Sequence, residues 1–195
     1  MRVKKLLSNQ NKELQGPLQI VPEIFIDDRG YFMESWNSDK LNDSLNKKIL
    51  FVQDNESMSK KGVLRGLHYQ LPPYGQDKLI RVVKGLIYDV IVDLRKDSPT
   101  FMEWTSVKIS SKVKNQLWIP FGFAHGFLTL SDTAIIQYKV TNLWSRDHER
   151  TLVWNDKDIK VDWYKSFSYN QEFLISEKDI HGETYKSLCE SYSLF

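Results

Sequence analysis

Between Leu18 and Leu152 the chain is cut into short runs rich in Val, Ile, Phe, Tyr and Trp, each closed by Gly, Pro, Asn, Asp or Ser. Such closely spaced runs, with few helical patterns between them, favour antiparallel pairing over βαβ units. Strands are expected near 18–26, 31–36, 49–56, 63–70, 78–84, 86–94, 102–110, 116–119, 126–130 and 134–141. The chain should therefore be all-β, a sandwich or barrel. Aromatic residues at 13%, with six tryptophans, suit a β-rich core or a stacking pocket. Lys84-Gly85 reads as a tight hairpin, with glycine free to take a positive φ.

Two segments are more helical. Ser38-Asp-Lys-Leu-Asn-Asp-Ser-Leu45 offers an N-cap followed by leucines four apart, and Ser176-Glu-Lys-Asp179 resembles a capping box within a helical stretch over about 174–193. Ser166-Phe-Ser-Tyr-Asn-Gln171 reads as a loop before the tail. A length of 195 residues suits a single domain over 1–195, with a core at about 18–165 and a tail at 166–195.

The net charge of +2 comes from 27 basic and 25 acidic residues spread along the chain. Without a concentrated basic stripe, no nucleic-acid partner is expected. Cys189 is the only cysteine, which excludes an internal disulfide and a cysteine-rich zinc site and fits a reducing compartment. Met1-Arg-Val-Lys-Lys-Leu-Leu turns polar at Ser8, too early for a secretion signal, and no apolar run is long enough to span a membrane. The expectation is a cytoplasmic protein with no membrane partner.

Of the histidines His68, His125, His148 and His181, the first two sit in apolar β contexts. A lone histidine there is more often a hydrogen-bonded core residue than a catalyst. Their neighbours alter that reading. His68 lies in Gly62-Val-Leu-Arg-Gly-Leu-His-Tyr-Gln70, and His125 ends Pro120-Phe-Gly-Phe-Ala-His125, a turn that aims it inward. Gly-x-His-x-Gln with Pro-x-Gly-x-x-His resembles the two signature motifs of the cupin superfamily. That resemblance implies a cupin-like jelly-roll barrel or sandwich with short peripheral helices. Metal-binding cupins usually carry His-x-His where this chain has Gln70, and a neutral amide is a poor transition-metal ligand. A metal-free site with no cofactor is expected.

An imidazole free of metal can act as a general base, because its unperturbed pKa of about 6.5 lies near operating pH. So weak a base removes a proton from carbon only where a ketone acidifies the C–H. The site then needs a group to fix the base's tautomer, a donor for the enolate oxygen and an opposing acid. His68, a carboxylate, Lys78 and Tyr138 are the candidates for these four parts.

A closer resemblance runs through Asp28-Arg-Gly-Tyr-Phe-Met-Glu-Ser, Phe51-Val-Gln-Asp-Asn, the His68 motif, Lys78-Leu-Ile-Arg-Val-Val-Lys-Gly, Asp89-Val-Ile-Val-Asp-Leu-Arg, Ser98-Pro-Thr-Phe, Gln116-Leu-Trp-Ile-Pro, Gly122-Phe-Ala-His-Gly-Phe and Trp154-Asn-Asp. Over roughly 20–165 the chain is similar to the dTDP-4-dehydrorhamnose 3,5-epimerase family. The resemblance implies proton exchange at C3 and C5 of a dTDP-linked 4-keto-6-deoxy sugar. It implies His68 as base, Asp179 as the carboxylate orienting it, Tyr138 as opposing acid, and Lys78 and His125 near the keto group. Arg29, Glu34, Gln53, Asn55 and Arg65 match nucleotide and diphosphate contacts, some supplied across the family's homodimer. Asp179 also implies that the tail packs on or near the site.

Each assignment has a plainer competitor: a first-turn helix carboxylate for Asp179, a core tyrosine for Tyr138, solvated surface arginines for Arg29 and Arg65. Guanidinium groups nonetheless suit a diphosphate, since each donates parallel hydrogen bonds. Strand alternation sends Lys78 and Arg81 to opposite faces, and it would separate Arg65 from His68 unless the backbone is irregular near Gly66. The chain departs from the family at Phe121, usually Glu, at Leu143-Trp144, usually a tyrosine pair, and at Tyr164, usually Pro. These departures leave open a single-centre epimerase or another nucleotide-linked 4-keto sugar such as a heptose. From other classes come a non-catalytic sugar-nucleotide-binding cupin and a metal-dependent oxygenase. A ketoisomerase would be expected to use a histidine pair that Gln70 interrupts.

Overall fold

The computed structural model describes residues 1–166 and 172–195. In chain order the strands are β1 Arg2–Leu7, β2 Glu13–Val21, β3 Phe25–Asp27, β4 Gly30–Phe32, β5 Gln53–Lys60, β6 Val63–Gln70, β7 Lys78–Lys84, β8 Leu86–Asp93, β9 Trp104–Ser110, β10 Gln116–Ile119, β11 Phe123–Thr129, β12 Thr133–Val140, β13 Glu149–Thr151 and β14 Leu174–Ile175. The helices are α1 Ser38–Leu45, α2 Glu177–Ile180 and α3 Tyr185–Glu190. One sheet runs β1-β2-β10-β7-β12-β5; the other runs β13-β6-β11-β8-β9, with β14 added in parallel to β6. Two facing antiparallel sheets make the all-β, cupin-like jelly roll in its sandwich form, with β3–β4 as a separate hairpin.

Strand alternation sorts the apolar residues into three layers. Ile80 and Val82 of β7 meet Ile87 and Ile91 of β8, Phe123 and Phe127 of β11, and Ile136 of β12 between the sheets. The opposite face of β8, with Tyr88, Val90 and Val92, is covered by Trp163, Leu188 and Leu194 from the C-terminal segments. Leu79 and Trp118 on the outer face of the first sheet pack beneath Leu41 of α1 and Ile49. Burying each such side chain contributes about 1.5–3 kcal/mol, so the C-terminal segments form part of the core.

Several boundaries differ from the sequence reading. β1 is a further strand; its Lys4 and Lys5 are exposed and only Leu6 is buried, the charged composition of a sheet edge. The expected 18–26 strand begins earlier, at Glu13, and breaks at Pro22-Glu23-Ile24 before β3. The expected 31–36 strand shortens to β4. The expected 49–56 strand moves to 53–60, because Ile49 and Phe51 pack against α1 and Trp118 while the polar run after them pairs with β12. Asn37, not Ser38, caps α1, its side chain accepting the Lys40 N–H at 3.1 Å. Ser166 ends a 3₁₀ turn from Trp163, and the rest of the stretch read as a loop, 167–171, lies outside the described residues.

Candidate active site

The irregularity at Gly66 builds the site. β6 pairs with β11 through His68↔His125 and Arg65↔Phe127, so Gly66 and Leu67 together oppose Gly126 in a bulge. Gly66 has φ +108, and the Gly66–Leu67 peptide is cis. A Cβ at Gly66 would lie 2.6 Å from both Gly126 Cα and His125 O, so glycine alone fits. Leu64 and Leu67, three apart, consequently share the outer core, and His68 turns inward.

The same break admits a carboxylate through the sheet edge. β14 covers β6 at Val63 and Leu64, and β13 covers it from His68 to Gln70. Between these strands the Gly66 N–H donates to Asp179 Oδ2 at 3.4 Å, and Asp179 Oδ1 lies 2.5 Å from His68 Nε2. Ser176 caps α2 by accepting the Asp179 N–H at 3.3 Å, while the Asp179 side chain turns to the histidine instead of closing a capping box. Burial pushes the Asp179 carboxyl up, but the bond to His68, that ring's charge, Ser176 and the Gly66 N–H together hold it below the usual carboxylate range.

His68 opens on a cavity of about 310 Å³ that Lys78, Tyr138, Gln53 and Asn55 also line. Lys78 reaches it from β7 and is only 9% exposed, with its Nζ 3.5 Å from the His68 carbonyl oxygen. Burial pushes this ammonium down to about 8, against the opposing pull of Glu149 and Asp89. Tyr138 projects from β12 toward the inner core; burial raises its phenol and the Arg65 charge partly opposes this, so the group is held protonated. His125 lies beside His68 in the ladder, with Nε2 2.9 Å from Oδ2 of the fully buried Asp89. Burial raises the Asp89 carboxyl, an effect His125 counters.

The other candidates are dispersed. Arg65 donates from Nε to Ser59 Oγ at 3.0 Å, outside the residues that line the cavity, although its charge reaches Tyr138. Arg29, at the tip of the β3–β4 hairpin, pairs with Asp27 at 2.6 Å and its side chain is 91% exposed. Glu34 binds Lys40 and lines a second, more apolar cleft with Phe25, Phe32 and Trp36. Gln70 is fully engaged: Nε2 donates to the Tyr74 and Leu143 carbonyls at 2.7 and 3.2 Å, and Oε1 accepts the Ser145 N–H at 2.7 Å. It thereby ties together two rim loops. Among the described residues no group of three or more His, Cys, Asp or Glu could hold a metal ion.

The departures from the family pattern find separate places. Phe121 packs edge-on against Phe195, 4.5 Å between centroids, as part of the C-terminal seam. Trp144 lines the cavity, its backbone N–H donating to Gln53 Oε1 at 3.1 Å, while the Leu143 side chain is exposed. Tyr164 stacks on Phe173. Sequence reasoning passed over Asp89 and Glu149 as site residues. Alternation places Asp89 on the inward face of β8 with Ile87 and Ile91, a signal present in the sequence. The three-residue β13 gives no such signal for Glu149.

A jelly-roll sandwich whose inner face gathers a carboxylate-bound histidine, a buried lysine and a protonated tyrosine around one cavity defines an acid–base enzyme. The family model described as dTDP-4-dehydrorhamnose 3,5-epimerase matches residues 11–187. The chain belongs to that family. It is 50% identical over 173 residues to the dTDP-4-dehydrorhamnose 3,5-epimerase of Shigella flexneri, covering 89% of this chain and 93% of that one. The enzyme of the same name from Pseudomonas aeruginosa is 47% identical over 164 residues, 84% of this chain and 88% of that one. Among solved structures, dTDP-6-deoxy-D-glucose-3,5-epimerase from Legionella pneumophila in complex with dTDP-4-keto-L-rhamnose superposes with a TM-score of 0.87. That match has 36% identity and covers 99% of this chain and 97% of that one. No helix among the described residues is long and apolar enough to cross a membrane.

Proposed function

We propose that this protein inverts C3 and C5 of dTDP-4-dehydro-6-deoxy-D-glucose to give dTDP-4-dehydro-L-rhamnose. The observation that carries this reading is the 2.5 Å contact of His68 Nε2 with Asp179 at a cavity that also holds Lys78 and Tyr138. The chain's family points to the same reaction, and the ligand named for the Legionella relative, dTDP-4-keto-L-rhamnose, is the product of that reaction. With Nε2–H donated to Asp179, the Nδ1 lone pair of His68 takes the proton from the carbon beside the 4-keto group. The electron pair left behind delocalises onto the keto oxygen as an enolate, which the Lys78 ammonium stabilises with help from His125. Tyr138 returns a proton to the opposite face; His68 then releases its proton to solvent and Tyr138 regains one from it, and repetition at the second carbon completes the double inversion. No electrons are exchanged with a cofactor.

Gln53 and Asn55 meet the nucleotide end, and Arg65 meets the diphosphate. Arg29 and Glu34 serve the site across a homodimer, which accords with their position away from the cavity of their own chain. The whole of 1–195 is read as one domain, with its tail supplying Asp179. A cytoplasmic setting accords with the lone Cys189. Incubation with dTDP-4-keto-6-deoxyglucose in D₂O, followed by nuclear magnetic resonance, tests the reading: deuterium should enter at both C3 and C5. Exchange at one carbon alone would select a single-centre epimerase, and exchange at neither would sink the proposal for this substrate.

A further inference from the structure

The cavity contains one carboxylate to which the epimerisation chemistry assigns no task. Among the described residues lining it, Glu149 alone is acidic. β13 sets Glu149 opposite Gln70 of β6, and its Oε2 lies 2.5 Å from Lys178 Nζ. Lys178 directly precedes Asp179 in α2. This single turn therefore grips the β6–β13 ladder twice, through Asp179 to His68 and through Lys178 to Glu149. Successive helical residues project about 100° apart, so two such bonds fix the rotation of the turn as well as its position.

Glu149 also acts inward. Its charge is the foremost one favouring the Lys78 ammonium, ahead of Asp89 on β8, while Lys178 on α2 opposes. Among the described residues, the other titratable groups lining the cavity with Lys78 are His68 and Tyr69 on β6 and Tyr138 on β12, while His125 on β11 is bound to Asp89. An ammonium taken out of water keeps its proton to higher pH when an anion faces it. We propose that Glu149 is a positioning residue of the acid–base site, the counter-ion that keeps buried Lys78 charged and the anchor, through Lys178, of the turn that holds Asp179 against His68. Its chemical purpose rests on the epimerase reading; its first test does not.

That test is a nuclear magnetic resonance titration of the lysine side chains in the substrate-free protein, with Lys78 assigned through Lys78→Arg. Glu149→Gln should lower the Lys78 midpoint by about one pH unit, and Glu149→Asp, which keeps the charge, should recover most of that shift. The deficit of Glu149→Gln in kcat should widen about five-fold between about pH 6 and about pH 8, a trend that a purely structural defect would not produce. Lys178→Met should accelerate hydrogen exchange at the Gly66 and Asp179 amides about ten-fold. An unmoved Lys78 midpoint in folded Glu149→Gln overturns the counter-ion role, and unchanged exchange in Lys178→Met overturns the anchor. If the wild-type protein turns over no substrate, the titration still decides Glu149 and only the epimerase reading falls.

Discussion

At the scale of residues, the His68–Asp179 couple determines what the cavity can do, because it fixes which imidazole nitrogen faces substrate. Asp179 accepts from Gly66 and sits 2.5 Å from His68, so Asp179→Asn keeps the shape while changing an acceptor into a group that can donate. The expected result is a fall in kcat of about a hundred-fold or more with a smaller change in KM, measured in steady state. The same carboxyl reports on stability. Its folded-state pKa lies below the ordinary value, so its contribution is present above the unfolded pKa of about 4 and is lost as pH falls through the folded value. The difference in urea midpoint between wild type and Asp179→Asn should therefore shrink as pH drops below about 4. A difference that stayed constant through that range would mean that Asp179 is not held ionised by its partners.

The element that makes this couple available is the bulge in β6, and its requirement for glycine is testable. Gly66→Ala meets both a positive φ and backbone atoms at 2.6 Å, whereas Gly30, at φ +131 in the hairpin, has open space around its missing Cβ. Gly30→Ala isolates the conformational cost, about 1 kcal/mol. Gly66→Ala adds displacement of the β11 backbone, and its Tm should fall by more than about 5 °C, with loss of turnover as His68 shifts. Equal Tm values for the two variants would show that crowding at the bulge is unimportant. This element was partly legible in the sequence: alternation demands an irregularity if Arg65 and His68 face the same way, and the bulge lies where glycine permits it. β5 was less legible, because the row that faces inward beside β12, Gln53, Asn55, Ser57 and Ser59, is polar and lacks the apolar alternation of its neighbours. The partnership of His68 with Asp179 spans 111 positions, and no local pattern could join them. Only the family resemblance placed Asp179. Glu149 escaped both routes, since its significance lies in a bridge from a short strand to a one-turn helix.

At the scale of the whole molecule, the β3–β4 hairpin leaves Phe25, Ile26, Tyr31 and Phe32 exposed, with Ile26 at 81%. Exposed apolar clusters of this kind mark contact surfaces. Among the described residues, the Arg29 tip of the same hairpin pairs only with its neighbour Asp27, and it is not among those lining the cavity that holds His68. Both facts fit a two-fold dimer in which each hairpin lies across its partner and delivers Arg29 to the partner's site. In that arrangement each site combines His68 of one chain with Arg29 of the other. Arg29→Ala and His68→Ala homodimers should each be nearly inactive. Mixing the two by unfolding and refolding creates hybrids in which one site carries both lesions and the other carries neither. With random pairing, half the dimers are hybrids and half of their sites are intact, so activity should return to about a quarter of the wild-type value. Light scattering should give twice the chain mass of 23.0 kDa for each species. If Arg29 served its own chain, every site in the mixture would keep one lesion, and no activity would return however completely the chains exchanged.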